Sequence, residues 1–580
     1  MASGIPSGKI LTFLGPLFRY FREVGTLTEV FKGKKVSLEL VGGAVRDHVI
    51  NTDPRVQKAL RSRGRGHLIG RDIKDLDLST NASPETVVEL VRALANADKL
   101  SEDSQDEREA KWWSQWANYK VKYIEGLGEQ HGTVTLAFNY EGSGVEDQQI
   151  EITTHRTEEY NDEGRKPSQV TFSDESADPD ESRHLDSTRR DLSFNSMYMD
   201  STGKVIDPHK GVDDLILGTL NIPTKKGETS YQAALRVLRE DPLRFLRWIR
   251  FSGAYAAKPT SDLLNAIRSL KGSAKVTLSD GKVLNLKDLD LAGLIESRVA
   301  GNRKQVELGK ILSHGGYADG LQMLNSSGVY KNLLPHAADY GSVRSTLVKL
   351  DQMGVKGVGL LAVLYLDASH ADIAHDLGSS RVDTGDKKED ARRSLNFSAS
   401  EIKLVQSLVD FIHLFKGSLH SSSPESVTKH LVELVGPYSD FALAVLLALS
   451  PQDKTLITGT QKSLHAMKGG HIKHDLSGLN YPELSGGELI KETGLKGPAL
   501  GLAMELIKEG FRRHDLQTRE EALSFAHQVA DKLKQGIIDP SLDKSNRALI
   551  RSTYVSLKGL HKLSAKVVQA YLSLKKDTTV

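Results

Sequence analysis

The chain has 580 residues, with 77 Lys and Arg against 75 Asp and Glu, and its formal net charge of +2 neither requires nor excludes a nucleic-acid partner. Its 39% hydrophobic and 26% charged residues are ordinary for a globular protein of several domains and exclude disorder throughout. The absence of cysteine excludes disulfides, thiolate zinc sites and a cysteine nucleophile, and there is no apolar run of about 18 residues that would predict a membrane span.

The N-terminal segment, residues 1–35, is predicted to open the fold with a helix. Its first 22 residues lack acids and carry Lys9, Arg19 and Arg22, which faintly resembles an organellar presequence. The run LTFLGPLFRYFREV leads almost directly into the first predicted strand, which favours a helix that starts a domain. We therefore expect a cytoplasmic protein, with a mitochondrial location as the alternative.

A glycine turn follows the first strand, LELV. Gly42 and Gly43 lack a Cβ, so their backbone N–H groups can approach an anion such as a triphosphate closely. Arg46 can clamp phosphate oxygens in bidentate fashion, and Asp47 can hold that arginine in place. A glycine pair alone is most often a plain turn, so this motif depends on its neighbours.

The motif DLDLST places Asp75 and Asp77 two residues apart on a predicted strand, so both carboxylates point to one face. Adjacent carboxylates repel each other unless a divalent cation lies between them. Nucleotidyl transfer with two Mg²⁺ ions needs this arrangement. An isolated DxD is usually a solvated strand edge, but its position after the glycine turn strengthens both motifs.

Two further polar clusters lie between residues 150 and 200. Glu151, in IEITTHR, is on a strand that could run beside the Asp77 strand, either as a third catalytic carboxylate or as an edge-strand glutamate. In RRDLSFNSMYM, Arg190 suits phosphate, and Asp191 or Asn195 suits sugar hydroxyls. The polar, acidic segment between the two clusters predicts a long loop near the site.

The segment EDPLRFLRWIR predicts a helix that could read a nucleobase. Asp241 can cap a helix that begins at Pro242, with Arg244, Arg247 and Arg250 following at spacings of three. Asp241 would accept from the exocyclic amine of cytosine or adenine while Arg244 donates to the adjacent ring acceptor. Uracil and guanine would meet Asp241 acceptor to acceptor, at a cost of about 1 to 3 kcal/mol per contact. The alternative is a surface helix with intrahelical Asp and Arg pairs.

The order of predicted strands and helices along the chain predicts an α+β fold. Strand-like and helical runs alternate over residues 36–220, and helical periodicity dominates from about residue 230 onward. We expect an N-terminal domain with a mixed sheet and helices, followed by an all-helical remainder.

The successive motifs VGGAVRD, KDLDLSTNASPE, RRDLSFNSMYMD and EDPLRFLRWIRF resemble those of the class II tRNA nucleotidyltransferase and bacterial poly(A) polymerase family, and the resemblance spans roughly residues 36–530. It implies a head of the DNA polymerase beta type, with helical neck, body and tail. By motif, it implies that Asp75 and Asp77 bind metal and that the nucleotide is bound by Gly43, Arg46, Arg190, Asp241, Arg244, Arg247 and Arg250. The neck residues Arg303, Glu307 and Lys310 resemble the next motif of the family.

The implied domains are an N-terminal extension (1–35), the nucleotidyltransferase head (36–220), a neck with the templating helix (221–330), a body (331–470), an RNA-binding tail (471–530) and a basic extension (531–580). In the body, some relatives carry a metal-dependent HD phosphohydrolase domain. Here Leu366-Asp367 stands where a His-Asp pair is expected, and no partner histidines for His375-Asp376 are evident. We expect this region to be degenerate and to lack that activity.

Two insertions depart from the family pattern. About twenty residues follow VRD, and a second segment covers residues 97–123. We interpret the first as a solvated insertion, with contact to an RNA acceptor stem as the alternative; its cations are Arg55, Lys58, Arg61, Arg63, Arg65 and His67. In the second, Trp112, Trp113 and Trp116 have helical spacing, which favours a core position over a base-stacking platform.

The resemblance implies a template-independent nucleotidyltransferase that adds CCA to tRNA 3′ ends from CTP and ATP and releases pyrophosphate. It also implies two Mg²⁺ ions as cofactors. Poly(A) synthesis is the alternative, and a non-catalytic RNA-binding relative is a remote one. A template that reads both cytosine and adenine, together with the long loop after Glu151, favours CCA addition. The expected partners are tRNA or another RNA 3′ end, CTP and ATP, and no membrane.

Overall fold

The computed structural model describes residues 4–29, 31–33, 36–124, 132–159, 169–172, 178–269, 275–277, 283–285, 290–378, 395–467, 486–512 and 519–534. The chain forms two compact units, the first of residues 1–335 with 379–396 and the second of residues 336–378 with 397–580. Residues 160–168 and 173–177 of the loop predicted after Glu151, the start of the predicted tail and nearly all of the basic extension lie outside the described residues. The described part of that loop forms two strands and a helix.

Unit 1 is built on a seven-stranded mixed sheet in the order β3, β4, β5, β2, β1, β8, β9. All neighbouring strands are antiparallel except β2 and β5, which run parallel. This sheet confirms the predicted α+β head. The strands are β1 Leu38–Val41, β2 Leu76–Thr80, β3 Tyr119–Ile124, β4 Thr133–Tyr140, β5 Gln148–Thr154, β8 Tyr198–Met199 and β9 Val205–Ile206.

Short two-stranded sheets accompany this main sheet. They pair β6 Arg156–Glu159 with β7 Gln169–Phe172, β10 Thr219–Leu220 with β11 Lys258–Pro259, and β12 Lys275–Thr277 with β13 Val283–Asn285.

The central strands alternate as a half-buried sheet requires. In β2, Leu76 and Leu78 are buried while Asp77 between them faces solvent. In β5, Ile150 and Ile152 are buried on either side of exposed Glu151. The same period of two therefore fixes the core and turns one carboxylate from each strand outward.

The helices of the head have clear start signals. Ser83 accepts a hydrogen bond from Thr86 N before a proline-led helix, and Asp178 does the same for Asp180 N before another. These helices are α1 Ile10–Leu27, α2 Gly43–Thr52, α3 Pro54–Ser62, α4 Pro84–Ala95, α5 Ala97–Asp103, α6 Glu107–Ser114, α7 Pro179–Ser187 and α8 Gly211–Leu217.

The rest of unit 1 is mainly helical, as predicted. Asp241 ends one helix, and the next is assigned from Leu243, one residue later than the sequence predicts, although the Asp241 side chain still accepts from Leu243 N at 3.2 Å. The helices are α9 Ser230–Glu240, α10 Leu243–Tyr255, α11 Ser261–Ser269, α12 Leu291–Arg298, α13 Gly301–Leu312, α14 Tyr317–Ser327 and α15 Val329–Leu333.

The described part of unit 2 is helical. Ser369 and Ser398 begin two of its helices with capping boxes, in which a hydroxyl and an acid satisfy main-chain N–H groups reciprocally. The helices are α16 Tyr340–Gln352, α17 Leu361–Leu364, α18 His370–Leu377, α19 Ala399–Gly417, α20 Pro424–Val435, α21 Ser439–Leu449, α22 Lys454–Met467, α23 Gly486–Thr493, α24 Gly497–Arg512 and α25 Arg519–Lys534.

One stretch, Pro424–Leu449, is long and apolar enough to pass a length and hydropathy test for a membrane span. It consists of α20 and α21, separated by a short turn at Gly436–Tyr438, and 56% of the apolar window is buried inside the protein. These features are those of core helices, and the test by itself is weak support for a span.

The aromatic insertion packs into the head. Trp112, Trp113 and Trp116 are each at most 3% exposed, which confirms the predicted core position. They surround Tyr20 of α1, whose ring stacks on Trp112 at 5.5 Å and meets Trp116 edge-on at 5.4 Å. The N-terminal helix and the second insertion therefore share one buried aromatic cluster.

The basic insertion is also built into unit 1, which corrects its interpretation as a solvated segment. Arg63 donates to the carbonyls of Leu215 at 2.5 Å and Ile216 at 3.0 Å, at the end of α8. Arg65 donates to the carbonyl of Gly253 in α10 at 3.2 and 3.0 Å. These two guanidinium groups satisfy carbonyls near helix ends, whereas Arg61 and its neighbours on the outer face of α3 remain exposed.

Candidate active site

The glycine turn has the strained geometry that requires glycine. Gly42 has φ +73°, and a Cβ there would lie 3.3 Å from Nη1 of Arg190. Helix α2 begins at the next residue, so its first turn presents main-chain N–H groups beside this guanidinium. The turn and Arg190 are therefore adjacent, although 148 residues separate Gly42 from Arg190 in sequence.

Three carboxylates, which we call the strand-edge carboxylates, lie at the exposed face of β2 and β5. Asp75 directly precedes β2, and Asp77 is in register with Glu151 on the parallel neighbour β5. Asp77 is accessible to solvent but is surrounded by protein atoms at the wall of the site, and this desolvation raises its pKa; Arg190 opposes the rise and Asp75 adds to it. Burial likewise raises the pKa of Glu151, with Asp77 and Asp75 adding to the effect. Desolvation and the neighbouring carboxylates both disfavour the ionised forms, and a divalent cation would stabilise those forms, so these residues fit a metal site.

Arg190 is held by Asp186, a carboxylate that no sequence motif indicated. Asp186, fully buried at the end of α7, accepts from Arg190 Nη2 at 3.2 Å, from Arg189 Nε at 2.8 Å and from the Tyr198 hydroxyl at 2.7 Å. Burial would raise the pKa of Asp186, but Arg189 and Arg190 outweigh it and hold the pKa well below its usual range. Asp186 therefore fixes the direction of a guanidinium that faces the glycine turn.

Arg46 is fixed by contacts from three parts of unit 1. Its Nε donates to Asp47 at 2.8 Å, the ion pair expected from the sequence, and its Nη1 donates to Asn195 at 2.7 Å. The guanidinium carbon also lies 5.5 Å from the ring centre of Phe251 and 5.4 Å from that of Tyr255. The orientation of Arg46 is thus set before any ligand binds.

The helix α10 places its arginines against buried acids. Arg247 donates to Asp191 at 2.7 Å, and Arg250 pairs with Glu307 of α13 at 2.8 Å. Burial would raise the pKa of Asp191, but Arg247, Asn195 and Arg244 outweigh it and lower the pKa to about 2. Asp191 is therefore a fixed negative charge that orients Arg247 and accepts from the Asn195 amide at 3.0 Å.

Asp241 and Arg244, the predicted base-reading pair, are nearly buried at the start of α10. Asp241 is 9% exposed and Arg244 is 8% exposed. Arg244 Nη1 donates to Glu240 at 3.1 Å, and Nη2 donates to the carbonyl of Arg189. The alternative interpretation expected an intrahelical Asp and Arg pair. Arg244 instead pairs with Glu240, the last residue of the preceding helix α9, and the Arg189 carbonyl links the guanidinium to the head.

A cavity of about 940 Å³ in unit 1 brings the predicted residues together. Both metal candidates and every predicted nucleotide-binding residue line it, whereas Glu151 does not. The cavity is lined in addition by Arg71, Lys74, Arg189, Phe251, Tyr255 and His314, and by the neck residues Arg303 and Lys310. Arg71 and Lys74 could have been found from sequence, since GRDIKD directly precedes the DxD motif.

The charge of this cavity suits a polyanionic ligand. Its lining has eight arginines and two lysines against six aspartates, an excess of four positive charges. The cations cluster around the glycine turn and α10, while Asp75 and Asp77 supply the negative edge. A triphosphate between arginines and a cation-binding edge is the arrangement that phosphoryl transfer requires.

A family model described as the poly A polymerase head domain matches residues 111–221, which include β4, β5 and the Arg190 segment. Over these residues the chain is similar to that head domain, and the curated relatives that it resembles are named as CCA-adding enzymes or CCA tRNA nucleotidyltransferases. Nucleotidyltransferases of this family generally use divalent metal ions, in agreement with the strand-edge carboxylates.

Two curated relatives show the extent of the similarity. The chain is 26% identical over 231 residues to a CCA-adding enzyme of Enterococcus faecalis, which is 40% of this chain and 41% of that protein. It is 26% identical over 342 residues to the mitochondrial CCA tRNA nucleotidyltransferase 1 of Danio rerio, which is 58% of this chain and 59% of that protein. The chain thus spans between two fifths and three fifths of the length of these relatives.

Among solved structures, the chain is similar to the Bacillus stearothermophilus CCA-adding enzyme crystallised in complex with CTP. The sequence identity is 17% and the TM-score 0.42, with 91% of this chain and 99% of that chain covered.

Proposed function

We propose that this protein is a template-independent RNA nucleotidyltransferase that adds CCA to the 3′ ends of tRNA from CTP and ATP and releases pyrophosphate. The observation that carries the proposal is the shared cavity, in which Asp75 and Asp77 face the glycine turn and the arginines of α10. The choice of CCA addition over poly(A) synthesis is supported by the names of the relatives, which are CCA-adding enzymes.

In this proposal, Asp75 and Asp77 would hold two Mg²⁺ ions, which would supply activation of the RNA 3′ hydroxyl and neutralisation of the triphosphate charge. Arg190 and Arg46 bind phosphate oxygens, with the first turn of α2 donating main-chain N–H groups between them. Both guanidinium groups are already oriented by Asp186 and Asp47, so little conformational entropy is lost when the nucleotide binds.

The base would be selected by Asp241 and Arg244. Asp241 accepts from the amine of cytosine or adenine, and Arg244, oriented by Glu240 and the Arg189 carbonyl, donates to the adjacent ring acceptor. Because both side chains are nearly buried, an unmatched base leaves a desolvated acceptor facing a carbonyl. Selection against UTP and GTP therefore follows from the protein alone, without a template strand.

The experiment that tests the function is incubation of the purified full chain with tRNA lacking its 3′ CCA, with each nucleoside triphosphate separately and then together. The expected result is addition of three residues, C, C and A, followed by a stop. A long adenosine ladder on tRNA and on unrelated RNA would instead identify a poly(A) polymerase. No incorporation by folded protein would identify a non-catalytic RNA-binding relative.

Templating has its own test. Asp241→Ala and Arg244→Ala should each reduce the preference for CTP and ATP over UTP and GTP by roughly tenfold to a hundredfold, the value of one bidentate base contact. The ratio of kcat/KM between nucleotides is the measurement. Unchanged ratios in both variants, with overall activity retained, would remove the base-reading role from α10.

We also propose a cytoplasmic location. Helix α1, which carries Arg19, is packed against the aromatic cluster of the head, which supports its retention in the folded protein. Imaging of the full chain carrying a C-terminal fluorescent tag tests this, and a mitochondrial signal would contradict it.

A further inference from the structure

A cluster of two histidines and one aspartate lies in unit 2. His336 is in the turn before α16, and His375 and Asp376 are on α18. Among the described residues, these three form the one group of at least three potential metal ligands whose donor atoms all lie within 4.8 Å of one another. No partner histidine for His375-Asp376 is evident from the sequence, but the fold brings His336, 39 residues before His375, next to this pair.

The distances within the cluster match the edges of a metal coordination shell. His336 Nδ1 lies 2.8 Å from Asp376 Oδ1, and His375 Nδ1 lies 3.3 Å from the same oxygen. Ligands about 2.1 Å from a zinc-like ion are separated by roughly 3.0 Å in octahedral and 3.4 Å in tetrahedral geometry. Two imidazoles and one carboxylate oxygen can therefore converge on an ion with only small movements.

Neighbouring groups hold Asp376 so that one oxygen remains directed at the imidazoles. Its other oxygen, Oδ2, accepts from the Tyr365 hydroxyl at 2.9 Å and from His336 N at 2.9 Å. The carboxylate is completely buried, so this orientation is fixed by packing as well as by hydrogen bonds. A buried carboxylate with one satisfied and one directed oxygen is typical of an oriented metal ligand.

The outer partner of His336 fits the same interpretation. Its Nε2 lies 3.6 Å from Asp372 Oδ1, and Asp372 is itself held by Ser369 in a capping box. When Nδ1 of an imidazole binds a metal, its proton resides on Nε2, where a nearby carboxylate stabilises it electrostatically. Both imidazoles are 41% exposed, which leaves a path for the ion and a free side for water ligands.

We propose that His336, His375 and Asp376 form a binding site for one divalent transition-metal ion, with Zn²⁺ the best match to two imidazoles and a carboxylate. This donor set differs from that of Asp75 and Asp77, whose oxygen-only ligands suit Mg²⁺. The ion joins the turn before α16 to α18, two segments about 40 residues apart, and so stabilises unit 2 against unfolding.

The test uses the full chain stripped of metal by a chelator and titrated with Co²⁺ and then Zn²⁺. We expect one Co²⁺ per chain, a visible absorption band from the bound ion, and its displacement by Zn²⁺. His336→Gln and His375→Gln should each weaken binding at least tenfold and abolish the rise in Tm that Zn²⁺ produces. His370→Gln is the matched control, because His370 is on the same helix but pairs with Asp410 at 2.8 Å.

A second control separates this site from the candidate active site. The double variant Asp75→Asn/Asp77→Asn should bind Co²⁺ as the unaltered chain does. Failure of the folded chain to take up Co²⁺ or Zn²⁺ at micromolar concentration would overturn the proposal, as would unchanged affinity in both histidine variants. Either of those results would leave the cluster as a hydrogen-bonded network around Asp376. Because both imidazoles are partly exposed, the two variants are expected to fold, and circular dichroism checks this.

Discussion

Two sets of carboxylates lie at or next to the cavity of unit 1, and their electrostatic environments are opposite. The strand-edge carboxylates Asp77 and Glu151 have raised pKa values, because burial and like charges disfavour their ionised forms. The arginine-paired carboxylates, Asp186 and Asp191, are buried more deeply, yet guanidinium groups lower their pKa values. Burial alone would raise the pKa of all four carboxylates, so the opposite shifts arise from the arginines paired with Asp186 and Asp191.

The difference assigns separate roles. An arginine-paired carboxylate is satisfied within the protein, and its removal should damage the fold around Arg190 or Arg247. A strand-edge carboxylate is incompletely compensated in the protein alone, so its charge costs stability that a bound cation would recover. Charge removal should thus affect mainly stability at one set and mainly activity at the other.

The largest effect is expected for Asp77→Asn. Nucleotide incorporation should fall by about 1000-fold or more, because a metal ligand is lost while the rest of the cavity remains. Since the raised pKa of Asp77 means that its charge is disfavoured in the fold, the free energy of unfolding should stay equal or increase. Single-turnover incorporation and urea unfolding measure the two quantities. Asp103→Asn, an exposed change on α5, is the control.

Asp186→Asn should show the reverse pattern in stability. It leaves Arg189, Arg190 and the Tyr198 hydroxyl facing a neutral amide in a buried position, which costs about 3 to 5 kcal/mol. The midpoint and slope of urea unfolding measure this loss. Asp180→Asn on the same helix removes an exposed partner of Arg183 and should cost less than about 1 kcal/mol. Equal stability of the two variants would contradict the positioning role of Asp186.

The contrast also explains how much of the site could be predicted from the sequence. Local patterns were sufficient for the residues on the cavity wall: alternation turned Asp77 outward, and the spacing of three on α10 placed its arginines. Partner choice was not accessible, because Arg46 meets Asn195 across 149 positions and His336 meets Asp376 across 40. Such pairs depend on how the chain crosses the sheet or packs its helices, and no local period encodes that.

The mixed sheet and the helical remainder were predicted correctly. Of the two insertions, the one with tryptophans was predicted correctly and the basic one was not. Tryptophans at helical spacing indicated a core position because large apolar rings are seldom left in water. Arginines gave no comparable signal, since the same residue type can bind phosphate, face solvent or satisfy a carbonyl. Whether Arg65 faces solvent or Gly253 depends on a contact 188 residues away.

A pH effect should distinguish the network behind Arg190 from the strand-edge carboxylates. Burial lowers the pKa of His155, which contacts Ser182, to about 4, so the folded state keeps it neutral. The unfolded state gains a proton below about pH 6.5, so stability is full above that pH and decreases as pH falls toward 4. The loss should reach roughly 3 kcal/mol for this group.

The measurement is urea unfolding at pH 7 and pH 5. His155→Gln should remove part of the decrease between these values, because two other histidines remain. Burial lowers the pKa of His209 to about 4 and also lowers the pKa of His48. Asp186 and Asp191 titrate lower and contribute little in this interval. A decrease of the same size in His155→Gln would show that other groups set the acid sensitivity.

Glu151→Gln tests whether Glu151 contributes to catalysis together with Asp75 and Asp77. Glu151 is in register with Asp77 but does not line the cavity, so we expect a loss of about tenfold in kcat/KM, far below that of Asp77→Asn. The loss should shrink at saturating Mg²⁺ if Glu151 supports cation binding from outside the cavity. A loss equal to that of Asp77→Asn would make Glu151 a direct ligand, and no loss would make it an ordinary edge-strand glutamate.

The smallest effect on stability is expected for two arginines of the basic insertion, which do not line the cavity. Arg65→Ala removes a charged donor from the Gly253 carbonyl and should cost about 1 to 2 kcal/mol of unfolding free energy. Arg61→Ala, on the exposed face of the same insertion, should cost almost nothing.

If the insertion is structural, both variants bind tRNA as the unaltered chain does. Weaker tRNA binding by Arg61→Ala, with a reduced dependence on salt, would instead place the outer face of α3 on the RNA. Stability and RNA affinity therefore separate an arginine that holds the head together from one that could contact RNA.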